Sequence, residues 1–118
     1  MKTSGDRRRE LRETYAQRRP EAGVYLLRNS MSGRILVGSS PDLRSVRNRL
    51  ELGQATETSG VLDRRMAPDA RAHGMRSVEL EILDVLEVPD GTPPDDVAAD
   101  LRELEALWRE KLADIPHY

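Results

Sequence analysis

The sequence predicts an α+β domain with a three-stranded antiparallel sheet flanked by helices and an extra N-terminal helix. Two short apolar runs, over 23–28 and 34–38, flank a stretch rich in Asn, Ser and Gly, which is typical of a β-hairpin. Residues 78–82 alternate between apolar and acidic side chains, as a strand with one solvated face does. Most of the other apolar residues recur at helical spacing, which predicts helices around this sheet.

Length and composition restrict the architecture and the environment of the protein. A chain of 118 residues predicts a flexible basic N-terminus over 1–9 and a single domain over 10–118. The chain contains no Phe and no Cys, so we expect a core of Leu, Val and Ile, without disulfides or thiolate metal sites. It has neither an apolar run of membrane-spanning length nor a signal-peptide core, which predicts a cytoplasmic protein with no membrane partner.

The charge is distributed unevenly along the chain. Residues 1–76 hold 16 Lys and Arg against 9 Asp and Glu, whereas residues 77–118 hold 3 against 12. This asymmetry favours a basic half that faces nucleic acid. The acidic pI of about 5.7 favours instead two ordinary solvated faces. Both interpretations stay open at this point.

The predicted elements follow one another in a simple order. A helix over 10–19, ended by Pro20, precedes the hairpin, and a helix over 43–52 follows it. A polar loop over 53–60 leads to a short helix over 61–66 and to a helical turn between Pro68 and Gly74. The strand from Val78 and a long final helix complete the domain. That helix has a strong apolar face, formed by Val97, Leu101, Leu104, Leu107, Trp108 and Leu112.

The hairpin carries a family resemblance. Gly23-Val24-Tyr25 is followed at hairpin spacing by Leu36-Val37-Gly38, then by Ser39 and an arginine-bearing helix. This pattern resembles a GIY-YIG domain, the family that includes the catalytic domains of homing endonucleases and repair nucleases. The signature Gly-Val-Tyr, Arg-Asn-Ser, Ser-Gly-Arg-Ile, Val-Gly-Ser-Ser resembles a small stand-alone bacterial branch. More weakly, the resemblance extends to residue 118, and its order of elements agrees with the one predicted above.

The resemblance implies a metal-dependent nuclease site. In the family, a carboxylate on the last helix holds Mg²⁺ or Mn²⁺, a tyrosine of the first motif helps deprotonate water, and an arginine steadies the phosphate. Here it places the tyrosine at Tyr25 and the metal carboxylate at Glu105, three residues before Trp108. An ordinary glutamate at the edge of the apolar stripe is the alternative reading of Glu105. Arg47 and Arg49 are the candidate arginines, and the residues expected to contact nucleic acid are Arg28, Arg34, Arg44, Arg47 and Arg49.

Three positions depart from the family pattern. The second motif tyrosine is Leu36, the helix arginine is Val46, and the histidine is Leu50. None of these side chains can donate a hydrogen bond or transfer a proton. The loss of one preorganised donor costs about 2.7–4 kcal/mol in a transition state, so several losses predict an impaired enzyme.

Three functional hypotheses follow from these observations. The first is a catalytically impaired GIY-YIG protein that binds nucleic acid weakly, DNA rather than RNA, and needs no cofactor. The second is an active endonuclease that hydrolyses DNA phosphodiesters with Mg²⁺ or Mn²⁺. The third is a scaffold that binds a protein partner. A contiguous basic groove beside Tyr25 would favour the first two, and scattered basic residues with an exposed apolar patch would favour the third.

Overall fold

The computed structural model describes residues 20–118. The expected basic terminus over 1–9 and the expected helix over 10–19 lie outside the described residues. Strands β1 (Ala22–Asn29) and β2 (Ile35–Ser40) are followed by helix α1 (Leu43–Thr56) and the 3₁₀ turn Ser59–Val61. Helix α2 (Ala67–His73), the 3₁₀ turn Met75–Ser77, strand β3 (Val78–Leu86) and helix α3 (Pro94–Lys111) complete the described chain. Within it, no helix is both long and apolar enough to cross a membrane.

The three strands form one antiparallel sheet with the order β2-β1-β3, which confirms the predicted fold class. The central strand β1 is apolar on both faces, as expected for a strand that is covered on both sides. Tyr25 lies opposite Gly38, and Leu27 lies opposite Leu36. Tyr25 and Leu36 therefore occupy neighbouring positions on the same face of the hairpin.

The hairpin turn is built by one asparagine. The side-chain oxygen of Asn29 accepts hydrogen bonds from the amides of Met31 and Ser32, at 2.9 and 3.0 Å. Its amide nitrogen donates to the Ser77 hydroxyl at 3.0 Å, and the residue is fully buried. Gly33 closes the turn with a φ of 74°, a value that glycine adopts without steric cost. The turn residues thus form the local bonds that the sequence predicted.

Helix α1 extends four residues beyond its predicted end. We expected a polar loop from Gly53, but the helix continues to Thr56. Gly53 is buried, and a β-carbon at this position would collide with the side chains of Val61 and Met75. Close packing therefore requires glycine here, and the helix ends instead at Glu57, which has a φ of 52°.

The predicted helix over 61–66 is also wrong. The chain forms the 3₁₀ turn Ser59–Val61 and then a turn around Asp63. The Asp63 carboxylate accepts the backbone amide of Arg65 at 2.9 Å, and the Asp63 carbonyl accepts that of Met66, also at 2.9 Å. An aspartate that bonds its own local backbone competes with helix formation, which explains the difference. The first helical residue after this turn is Ala67.

Two apolar clusters cover the two faces of the sheet. On one face, Val24, Leu26, Ile35 and Val37 pack against residues of α3 and of the segment after it. On the other face, the cluster consists of Leu27, Leu50, Met66, Ala70, Met75 and Val78, with Tyr25 and Leu36 packed against it. Tyr25 therefore lies on the α1 side of the sheet, whereas the α3 helix covers the opposite side. The sheet therefore separates Tyr25 from the core of the α3 side.

Candidate functional site

Tyr25 lies on the central strand with its ring across the neighbouring edge strand. A β-carbon built on Gly38 would be 2.7 Å from both Cζ and the hydroxyl oxygen of Tyr25. Only glycine leaves room for the ring in this position, because any other residue at 38 would push it away. The glycine of the second motif thus determines where the tyrosine hydroxyl of the first motif can lie.

A cavity of about 410 Å³ opens beside Tyr25, between the sheet, α1 and the loop before α2. Leu36, Val46 and Leu50 all line it. These are the three positions where the family resemblance places a tyrosine, an arginine and a histidine. Arg49 and Asp63 contribute charged groups to the same cavity. The cavity therefore has a mixed lining. Its apolar floor is formed by the half-buried Leu36, Val61 and Leu62, whereas Val46 and Leu50 are almost fully buried.

The charges around Tyr25 oppose one another. Burial raises the pKa of the Tyr25 phenol, Arg49 lowers it, and the carboxylates of Glu105 and Asp63 raise it further. The net direction is upward, so the hydroxyl stays protonated at neutral pH. It forms no hydrogen bond with any of residues 20–118, and the Arg49 guanidinium forms no ion pair with them. A phenol donor and a cation are therefore available at one site.

The structure brings Glu105 within electrostatic range of Tyr25 but gives it a different partner. Glu105 Oε2 lies 3.2 Å from Arg109 Nη2, one helical turn further along α3. The same nitrogen of Arg109 donates to the Val37 carbonyl of β2 at 3.1 Å. The Glu105 side chain is 21% exposed, so it is partly shielded from water and bound to a fixed cation. The sequence placed Glu105 at the margin of the apolar stripe, where a carboxylate needs a partner, and Arg109 is that partner.

Glu105 is committed to Arg109 rather than open to a metal. Mg²⁺ is usually bound through one or two carboxylates, with waters and substrate phosphates as further ligands. Among the described residues, no three His, Cys, Asp or Glu side chains are grouped as metal ligands. The one carboxylate that the family resemblance assigns to the metal is already neutralised by a guanidinium. We therefore derive no catalytic step through a metal at this site.

Asp63 and Arg109 are the two site residues that the sequence interpretation missed. Arg109 follows Glu105 at the i,i+4 spacing of a helical ion pair, so its role could have been predicted from the helix alone. Asp63 could not have been found in this way, because it was assigned to a helix rather than to a turn. Hydrogen bonds from the Arg65 side chain and backbone lower the pKa of Asp63 to about 2, so the carboxylate is ionised at neutral pH.

The five arginines predicted to contact nucleic acid do not form one surface. Arg44 and Arg49 line a shallow groove on α1, and Arg47 is exposed on the same helix. Arg28 lies on the opposite face of the sheet, where it is 3.6 Å from the carboxylate of Glu81. Arg34 lies over the ring of Tyr118, 4.5 Å from its centroid. Of these five arginines, only those of α1 line or adjoin the cavity and its neighbouring groove.

No protein-family model matches this chain, and no curated protein matches it either. Two solved structures are similar to it. A single-residue variant of the catalytic domain of intron endonuclease I-TevI aligns with a TM-score of 0.58 at 18% identity, over 79% of this chain and 84% of that one. The catalytic domain of homing endonuclease I-TevI aligns with a TM-score of 0.55 at 23% identity, over 78% and 88%. I-TevI is a GIY-YIG homing endonuclease, and likeness at this level of identity concerns the fold. The order of strands and the chain path thus give this protein a GIY-YIG-like fold.

Proposed function

We propose that this chain is a GIY-YIG-like DNA-binding domain with impaired catalysis. In this proposal, Arg49 and the exposed basic side chains of α1 bind phosphates, and the Tyr25 hydroxyl donates a hydrogen bond to one of them. DNA is the expected ligand, because the similar structures are catalytic domains of an intron and homing endonuclease. Single-stranded or duplex RNA is the less favoured ligand.

The composition of the cavity carries this proposal. Leu36, Val46 and Leu50 line the cavity at the positions where the resemblance places a phenol, a guanidinium and an imidazole, so these three positions supply no group to share the chemistry. Hydrolysis of a phosphodiester needs positioned acid and base groups together with a stabilised leaving oxygen. Binding needs only a cation and hydrogen-bond donors, and Arg49 and Tyr25 supply both.

The test combines a cleavage assay with a binding assay. We expect negligible nicking of supercoiled plasmid in Mg²⁺ or Mn²⁺, together with measurable binding of a labelled duplex at low salt. Glu105→Ala serves as the control, since metal-dependent nicking that this substitution abolishes would contradict impaired catalysis. Absence of duplex binding at low salt would contradict the proposed binding function.

An active endonuclease is the second candidate, and one observation favours it. Tyr25 and Glu105 lie close enough for the carboxylate to raise the pKa of the phenol, although they belong to different faces of the sheet. The family resemblance brings together the same two residues. If the scaffold still aligns the site, the double substitution Leu36→Tyr and Val46→Arg should raise cleavage above that of the parent protein. A null result would favour a binding surface that has diverged as well.

A protein-interaction scaffold is the third candidate. A mainly apolar groove of about 440 Å³ lies near one end of the sheet, lined by Ala22, Val97 and Leu101 and by the loop of residues 88–92. It is separate from the Tyr25 cavity, and its walls carry few charges. Together with the scattered positions of Arg28 and Arg34, this groove favours a partner that is not nucleic acid. Absence of duplex binding at low salt would support this candidate over the first.

A further inference from the structure

We propose that the Tyr25 cavity binds the base of an unpaired nucleotide while Arg49 binds its phosphate. This inference rests on the proposed DNA-binding function and specifies the part of the DNA that the site recognises. It starts from a mismatch between the polar groups of the cavity and its apolar floor. A phosphate bound by Arg49 and Tyr25 would leave the half-buried floor residues Leu36 and Leu62 facing water.

A nucleobase matches this cavity in shape and in polarity. Its two faces are apolar and can pack against leucine side chains, whereas its edge carries hydrogen-bond donors and acceptors. The volume of about 410 Å³ lies within the range of roughly 300–1,000 Å³ that small-ligand sites occupy. The bases of a fully paired duplex are stacked and cannot reach the floor, but an unpaired base leaves the stack at little cost.

The rim distinguishes between bases. Asp63 lines the cavity, and its carboxylate accepts hydrogen bonds from the Arg65 amide, Nε and Nη2 at 2.9, 2.9 and 3.1 Å. A carboxylate has about four acceptor sites, so one site on Oδ2 stays open to a donor. The paired Arg65 also balances the negative charge that would otherwise repel DNA. Asp63 therefore favours a base with an exocyclic amino group, such as adenine or cytosine, over thymine.

The phosphate of the same nucleotide has a matching site. Arg49 lines both the cavity and the adjoining shallow groove on α1, and its guanidinium has no ion-pair partner among residues 20–118. The Tyr25 hydroxyl is protonated and lacks a hydrogen-bond partner in the same part of the chain. Both donors line the cavity, and in this proposal they bind the phosphate of the nucleotide whose base fills it.

The test compares three labelled duplexes that differ at one position. One duplex is fully paired, one carries a single bulged adenine, and one carries a single bulged thymine. Using fluorescence anisotropy at low salt, we expect the adenine bulge to bind about ten-fold more tightly than the paired duplex, near the lower end of what one stacked base contributes. The thymine bulge should lie between them. Equal binding of all three duplexes would overturn the base site and leave the DNA-binding function standing, whereas no binding to any duplex would overturn both.

Substitutions that block the cavity test whether the unpaired base binds there. Leu36→Trp fills the floor and should remove the preference for the bulged adenine over the paired duplex. Leu107→Trp is the matched control, because Leu107 is 54% exposed on α3, away from the cavity. Leu62→Trp offers a second blocking variant in the loop, for the case in which the sheet does not tolerate tryptophan. A bulge preference that survives in a folded blocking variant would place the base elsewhere and overturn the inference.

Discussion

At the scale of single residues, Tyr25 shows how its environment selects one protonation state. Burial raises the pKa of the phenol, and the nearby carboxylates outweigh the opposing effect of Arg49. A neutral hydroxyl can donate to a phosphate oxygen, whereas a phenolate would repel it. A general base works best with a pKa near the operating pH, so a raised phenol pKa suits binding better than proton abstraction.

Charge substitutions should move the Tyr25 titration in opposite directions. Arg49→Gln removes a positive charge that favours the phenolate, so it should raise the pKa of Tyr25. Glu105→Gln removes a negative charge and should lower it. The phenolate absorbance of each protein is measured against the same protein with Tyr25→Phe, which subtracts the other tyrosines. Arg47→Gln is the control with no expected change, and parallel shifts in all three variants would contradict the described geometry.

The raised pKa of Tyr25 also makes the folding stability of the protein depend on pH. Because the folded pKa of Tyr25 is raised above the usual value of 10.0, its contribution to folding is complete below that pH. The contribution is lost as the pH rises through the folded pKa. The alkaline loss of stability should therefore be smaller in Tyr25→Phe than in the parent protein.

At the scale of elements, close backbone approaches hold the sheet and its tyrosine in place. Gly23 lies on the central strand, where a β-carbon would collide with the carbonyl oxygen of Asp84 and lie 2.8 Å from Leu43 Cδ1. Gly38 differs, because its β-carbon would meet only the end of the Tyr25 side chain. A backbone atom in a sheet cannot move aside, whereas a half-buried ring can rotate away.

Alanine at these glycines should therefore produce different effects. Gly23→Ala should destabilise the fold by about 1–3 kcal/mol or more, the usual cost of overpacking, as measured by urea unfolding. Gly38→Ala should cost less stability but displace the Tyr25 ring and weaken DNA binding. Gly60→Ala is the control, because the nearest atom to its β-carbon would be 4.0 Å away. Equal unfolding free energies for Gly23→Ala and Gly60→Ala would contradict the strand packing.

At the scale of the whole molecule, the basic charge divides into separate regions. Of the 16 basic residues in the first 76, seven belong to residues 1–19, which are outside the described residues. Arg28 has its partner Glu81 on the opposite face of the sheet, and Arg34 lies over Tyr118 without lining the cavity. In this proposal DNA binding depends mainly on the arginines of α1, and binding through so few cations should be weak and sensitive to salt.

The salt dependence of DNA binding should change when an arginine of the α1 side is replaced but not when one on the opposite face is replaced. For duplex DNA, the logarithm of the binding constant falls with the logarithm of salt concentration at a slope of roughly −0.9 per phosphate contacted. Arg49→Gln should weaken binding and make the slope less steep by about 1. Arg28→Gln, on the opposite face, should leave both affinity and slope unchanged. Equal effects of the two substitutions would show that DNA does not bind on the α1 side.

The sequence by itself determined the hairpin, the alternating third strand and the final amphipathic helix. These elements follow from local causes, such as the turn-forming bonds of Asn29, the positive φ of Gly33 and the period of the apolar residues. The apolar substitutions at positions 36, 46 and 50 were also evident in the sequence once the family pattern was aligned. The single domain over 10–118 and the roles of the site residues stay predictions.

Only the tertiary structure decided where α1 ends and what surrounds Tyr25. Glycine is required at position 53 of α1 because Val61 and Met75 pack where a side chain would be. Asp63 reaches the cavity because a turn replaces a helix, and Arg109 binds the Val37 carbonyl at the edge of β2. The contacts of Gly53 with Met75 and of Arg109 with Val37 join residues far apart along the chain, so no local pattern specifies them. Strand alternation places Arg28 on the opposite face of the sheet, whereas Arg34 lies over the ring of Tyr118, which packs against the same cluster as Tyr25.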